Sequence, residues 1–207
     1  MPQLATPFTI LWLVINTLIV GAYISGFTTL GQENGPLENA QVALLFSAFL
    51  LALVKWRDDL TNQFQFLLWG AGLLAISFFL RELDLRRTGL SDWIIFFTSE
   101  KGRTWITVLL WLPFLFFIGR NFRWVVDTGL CYARSYSFWL YVVAAIWLVA
   151  GAFFDKGIIA TDHKYFMEEI LELNGYAFFL LAMSQMNQLE AVAGCRTKHS
   201  SGDHALS

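Results

Sequence analysis

The sequence predicts an all-α membrane protein, a bundle of about six transmembrane helices, and three observations carry that prediction. The 207-residue chain is 57% hydrophobic and only 14% charged, against about 25% charged residues in a soluble domain. Its mean hydropathy is +0.54. Its apolar residues also gather into six stretches with charged punctuation between them, each near the roughly 20 residues that a bilayer core asks of a helix.

The first stretch, Phe8 to Leu30, has no basic residue ahead of it and no small-x-small cleavage site behind it, so it reads as an uncleaved span and not a secretion signal. Asn39 to Trp56 is the second. Phe64 to Leu80 is the third, with Gly70-Ala71-Gly72 allowing a neighbour to approach closely. Trp105 to Ile118 is the fourth and shortest; it contains Pro113 and borrows Trp93-Ile-Ile-Phe-Phe97 as an interfacial segment. Ser137 to Phe154, with Gly151-Ala152, and Tyr165 to Met186 complete the set. Residues 1 to 193 form one transmembrane domain, and 194 to 207 read as a disordered polar tail. Trp93, Trp105, Trp111 and Trp124 read as an aromatic belt at the headgroup level.

Several function classes are excluded. A net charge of −2 with no basic stripe makes nucleic acid an unexpected partner. Cys131 and Cys195 show no paired spacing and fall on one face of this layout, so neither a structural disulfide nor a zinc knuckle is expected. The connections are at most about 25 residues long, so any activity must be built from helix ends and short loops.

Helix parity sorts the connections. The exits of odd helices and the entries of even ones share one face, which holds eleven acids and seven bases; the opposite face holds five acids and seven bases. The positive-inside rule counts only Lys and Arg, so it ties. The short basic loop from Arg120 to Arg134, set against the base-free segment from Gly31 to Glu38, favours cytoplasmic termini with the acidic face outside.

That acidic face carries the chemistry. A carboxylate near the centre of a membrane helix costs roughly 2.5 to 3.5 kcal/mol, so Glu168, Glu169 and Glu172 in the sixth stretch need partners. On a helical wheel they share a sector about 100° wide with Tyr165 and Tyr176, while Asn174 points elsewhere. Across from them, Ser77, Arg81 and Asp84 project from one face of the third helix, with Glu82 turned away. Arg81 is the natural counter-ion, because a guanidinium engages carboxylates in bidentate fashion and stays charged. It cannot balance three glutamates and Asp84 alone. Arg86 or Arg87 turning inward, interfacial water around the glutamates, or a bound cation would complete the balance.

Two ligand chemistries suit this set. A divalent metal would take Glu168, Glu172, Asp84 and His163 as ligands, with Glu169 or Glu82 as general base. An anionic headgroup or cofactor would be held by Arg81 and Arg86. Simpler roles stand beside these. An Arg81–Glu172 pair fixes helix register as readily as it serves a function. Asp162 reads first as an N-cap, His163 as an exposed loop residue, and Arg86, Arg87, Lys101 and Arg103 as interfacial anchors. No motif that names a reaction is present.

The segments Phe79-Leu-Arg-Glu-Leu-Asp84 and Glu168-Glu-Ile-Leu-Glu-Leu-Asn-Gly-Tyr176 resemble motifs of small, uncharacterised bacterial inner-membrane proteins, over two of the six helices. The resemblance implies a multi-pass protein of the bacterial inner membrane with a polar site, and no activity. A looser analogy links the chain to the seven-helix membrane hydrolases that include alkaline ceramidases, which gather serine, aspartate and histidines around zinc. This chain lacks the paired histidines on its last helix, so the analogy implies no zinc hydrolysis here.

The expected function is binding of a cation or lipid headgroup at this site, with membrane lipids as partners and metal-dependent catalysis as an extension. One alternative is a non-catalytic accessory subunit docked on a larger membrane-protein partner. Another is an ion or proton transporter, weakened because no matching acid lies at midplane depth.

Overall fold

The computed structural model describes residues 5–31, 35–56, 62–83 and 99–186. Over these residues the chain forms seven α-helices and a short 3-10 turn at Thr28–Gly31. The helices are α1 (Ala5–Ile24), α2 (Pro36–Lys55), α3 (Asn62–Glu82), α4 (Glu100–Arg120), α5 (Phe122–Tyr132), α6 (Tyr136–Asp155) and α7 (Lys164–Gln185). Asp84, Arg86, Arg87, the Trp93–Phe97 segment and the predicted tail at 194–207 lie outside the described residues.

Helix ends follow local chemistry. The first helix stops at Ile24, short of the expected Leu30, because Gly26 takes a φ of +102° that turns the chain. Pro36 opens α2 at the first turn, where its missing N–H leaves no hydrogen bond unmade. Ser99 and Ser135 cap α4 and α6, their hydroxyls accepting from Gly102 N and Phe138 N. Asp162 does not cap α7: His163 holds the N-cap position, without a side-chain bond. The expected basic loop between the fourth and fifth spans is largely the helix α5. Cys131, on α5, is disulfide-bonded, against the expectation from cysteine spacing; Cys195 lies outside the described residues.

Four helices, α1, α2, α4 and α6, are long and apolar enough to cross a membrane. The sixth predicted span, α7, is not among them despite its 22 residues, since Lys164, Glu168, Glu169 and Glu172 all fall in its first three turns. Nor is α3, the third predicted span, at 21 residues. Packing gives the reason both tolerate polar residues. α7 is the central helix, largely buried from Ile170 to Met183 against α6 on one side and α2 on the other, with α3 packed on α2. Outer helices carry the exposed apolar side chains, such as Leu13 and Leu18 of α1 and Leu109 and Phe116 of α4. A polar group inside the bundle finds partners that a lipid-facing one would lack.

Small residues let the helices meet. Ala48 and Ala52 of α2, Ala71 and Ala75 of α3 and Ala144 of α6 surround Phe179 and Met183 of α7. The closest approach is between α6 and α7. A Cβ on Gly175 would lie 2.7 Å from Leu148 and 3.2 Å from the Ala144 carbonyl, and one on Gly151 would lie 3.0 Å from Glu172 Cγ. Gly70 and Gly72 serve the approach predicted for them, facing Phe114 of α4 and Ala52 of α2. Trp111 and Trp124 also pack within the bundle. Trp111 donates to Ser77 Oγ at 2.9 Å, Trp124 packs edge-on against Phe66, and of the described members Trp105 alone is well exposed.

Two polar ties hold α7 in place. Asn174 clasps α1: its Oδ1 accepts from Trp12 Nε1 at 2.5 Å, and its Nδ2 donates to Asn16 Oδ1 at 2.8 Å and to the Ile170 carbonyl at 2.7 Å. At the other end, the buried Lys55 ammonium donates to the Met183 and Ser184 carbonyls at 2.6 and 2.9 Å, and Ser137 Oγ donates to Ala182 O. The Met183 carbonyl already accepts from Met186 N, so Lys55 adds a charged donor at the helix end, where a cation also complements the helix dipole. Lys55→Met is therefore expected to lower stability by about 1.5–3 kcal/mol, the range for hydrogen bonds to a charged group. Thermal unfolding in detergent checks this, and an unchanged midpoint would show that the ammonium contributes nothing.

Candidate functional site

The site forms where the end of α3 meets the first three turns of α7. Arg81 ends α3 and turns toward α7, where its Nη2 donates to Glu172 Oε1 at 2.5 Å. Its Nε donates to Glu82 Oε1 at 2.7 Å. Tyr176, one turn below Glu172 and almost wholly buried, donates its phenol to the same Glu82 oxygen at 2.8 Å. Glu82 is thus part of the cluster, contrary to its expected position on the far side of α3. At the last residue of a helix the side chain folds back past its neighbour, which a wheel projection does not capture. Arg103 of α4 supports the arrangement from behind, donating to the Arg81 carbonyl at 2.5 Å and to the Leu80 carbonyl at 3.4 Å.

The acids of α7 divide by depth. Glu172 is buried, its side chain 7% exposed, whereas half of the Arg81 side chain is exposed, so the pair lies at the boundary between bundle interior and surroundings. Glu169 and Glu168 are half-buried. Glu169 meets α2, where the fully buried Gln41 donates its Nε2 to Glu169 Oε2 at 2.7 Å and to the Glu169 carbonyl at 3.0 Å. Gln41 Oε1 is also buried and, among the described residues, accepts no hydrogen bond. Neither Glu168 nor Glu169 has a base within ion-pair distance among the described residues; Lys164, the nearest in sequence, donates to the Asp155 carbonyl at 2.6 Å.

Other predicted members sit elsewhere. Tyr165 does not join the acid sector: it is exposed, with Lys164 over its ring. Its place in the first turn puts it beyond the packed part of α7. His163 is exposed and pairs with α1 through its Nδ1, 3.0 Å from Tyr23 Oη. Ser77 turns to Trp111 of α4 and not to the acids. Asp84 and Arg86 are outside the described residues, so the predicted metal set is represented by Glu168, Glu172 and His163. Among the described residues no three His, Cys, Asp or Glu side chains come together as a metal ion would require. Asn174 faces α1, away from the acids, as the wheel predicts.

Sequence reasoning missed Gln41 and Arg103 as parts of this site. Gln41 carries a usable signal, as the lone amide between Ala40 and the apolar run Val42 to Phe46. Arg103 carries none beyond its position at a helix start.

The resulting arrangement is short of donors. One guanidinium serves two carboxylates, a phenol supports it, and two more carboxylates and an amide oxygen remain along α7 and α2. Carboxylates left without a base are acceptors suited to positive N–H donors, and the half-exposed Arg81 guanidinium is a donor suited to an anion. Comparison of the chain with protein-family models, curated proteins and solved structures gives no match.

Proposed function

We propose that this protein is a lipid-binding integral membrane protein whose carboxylate–arginine site holds the headgroup of an aminophospholipid. The ammonium is taken by Glu168 and Glu169, and the phosphate by the exposed edge of Arg81. The observation that carries the reading is the imbalance of charge: Arg81 is engaged by Glu82 and Glu172, and no base pairs with Glu168 or Glu169 among the described residues. A zwitterionic headgroup supplies both missing partners, and among the described residues no three acidic or histidine side chains converge as a metal ion would require.

In this reading α3 and α7 also cross the bilayer, giving six spans. Their polar residues face the bundle, and both run alongside spans that meet the length and hydropathy required. The site then lies at one membrane face of a bacterial inner-membrane protein; the loop charges favour cytoplasmic termini, whereas the disulfide at Cys131, on the termini's face, belongs to an oxidising compartment and favours the reverse.

Short-chain lipids test the headgroup without the membrane. Dioctanoyl phosphatidylethanolamine is expected to raise the melting temperature more than dioctanoyl phosphatidylglycerol, and Glu168→Gln/Glu169→Gln is expected to erase that preference. The ammonium–carboxylate bonds are worth about 1.5–3 kcal/mol, a ten- to hundredfold difference in affinity. Equal stabilisation of the unmodified protein by both lipids would refute the proposal.

A further inference from the structure

Below the polar site, an elongated cavity of about 520 Å³ opens between α3 and α4 on one side and α6 on the other, with α7 as its floor. Along α3 it runs from Phe66 to Phe78, twelve residues, or about 18 Å at 1.5 Å per residue. Its walls are aromatic and aliphatic, and the polar atoms they carry are already engaged. Tyr132 Oη is bonded to Ser137 Oγ, Tyr141 Oη donates to Met186 Sδ, and Trp111 Nε1 donates to Ser77 Oγ. An occupant therefore finds no hydrogen-bond partner inside, and hydrocarbon is the chemistry that fits.

The position of the cavity is as informative as its lining. At its upper end Phe78 packs against Tyr176, with ring centroids 5.7 Å apart, and Tyr176 donates to Glu82 in the carboxylate–arginine cluster. One ring thus separates the apolar slot from the polar site. Laterally, the exposed Ala145 of α6 and Leu74 of α3 line the cavity, so its mouth lies toward the surroundings of the bundle and not toward the core. The dimensions match one chain: a bilayer core of about 30 Å holds two leaflets, hence roughly 15 Å per acyl chain.

We infer that this cavity is the seat of a single acyl chain of a bound phospholipid whose headgroup lies at the Arg81–Glu172 end. The inference deepens the headgroup reading and rests on it for the identity of the ligand, but the slot makes a separate prediction. An annular lipid exchanges freely; a chain inserted between α3 and α6 stays through detergent extraction.

Native mass spectrometry of protein taken from nanodiscs of equal phosphatidylethanolamine and phosphatidylglycerol tests this. The unmodified protein is expected to retain one phospholipid per chain. Ala145→Phe, which plugs the mouth from an exposed position, is expected to reduce retention at least tenfold, and Leu74→Trp does the same from the opposite rim. Ile146→Phe, on the adjacent exposed position outside the cavity, is expected to retain lipid normally. No retained lipid in the unmodified protein, or full retention in both plugged variants, would overturn the inference. Retention lost in the plugged variants while the retained lipid shows no headgroup preference, with or without Glu168→Gln/Glu169→Gln, would keep the chain slot and refute the headgroup reading. A headgroup preference with retention unaffected by plugging would do the reverse.

Discussion

Replacing Arg81 by methionine is expected to lower stability by about 2–3 kcal/mol. Removing one partner of a fully buried pair costs roughly 3–5 kcal/mol because the other charge is left behind; half of the Arg81 side chain is exposed, and screening reduces the figure. At roughly 2–4 °C per kcal/mol for a chain of this size, the melting temperature should fall by about 4–12 °C. The mechanism makes a second prediction. Glu82 and Glu172 lose the same donor, so Arg81→Met/Glu82→Leu/Glu172→Leu should recover most of the stability while still failing to distinguish lipid headgroups. If the single variant melts with the unmodified protein, the ion pair does not hold α3 to α7.

Gly175→Leu should be the most damaging substitution in the bundle. Even Gly175→Ala places a Cβ 2.7 Å from Leu148 and 3.2 Å from the Ala144 carbonyl. Helix propensity alone would favour alanine by about 0.8–1.0 kcal/mol, but overpacking costs about 1–3 kcal/mol, so the net effect is destabilising. Leucine cannot be seated without parting α6 from α7. Leu148→Ala should restore part of the loss in Gly175→Ala and little in Gly175→Leu, because the Ala144 carbonyl cannot move aside; a double-mutant cycle measures the coupling. A neutral Gly175→Leu would mean that α6 and α7 do not cross this closely.

Much of this architecture was legible in the residues. Runs of apolar side chains located the long helices to within a few residues at most ends, and buried charge announced its own partner. Glu172 is two turns inside α7, too deep for the helix dipole to account for it, so an arginine at the end of a neighbouring helix was the economical solution, and Arg81 meets it. What stayed hidden depends on direction and depth. Glu82 folds back at a helix end, where a 100° step per residue no longer fixes where an atom lies. Tyr165 shares the acid sector on a wheel, yet sits a turn beyond the packed region and is exposed. Gln41 stands out as the lone amide beside an apolar run, but its position near the start of a span reads equally as an interfacial amide, and only packing shows that it meets Glu169. Lys55 lies at the end of the predicted second span with nothing in the sequence to single it out, although it closes the far end of α7. Hydropathy alone also ranks α7 below the outer helices, because the bundle interior admits polar residues that lipid would not.

The clasp between Asn174 and the Trp12–Asn16 turn joins α1 to α7 across 158 positions of the chain. At about 5–20 residues per second, roughly 10–30 s separate their synthesis. Through that interval the amide of Asn16 is without its eventual partner on Asn174. The newborn chain thus has a waiting stage in which α1 is without this tie, and substitutions at Asn174 should show first as low yield during biogenesis, before any defect in the mature form.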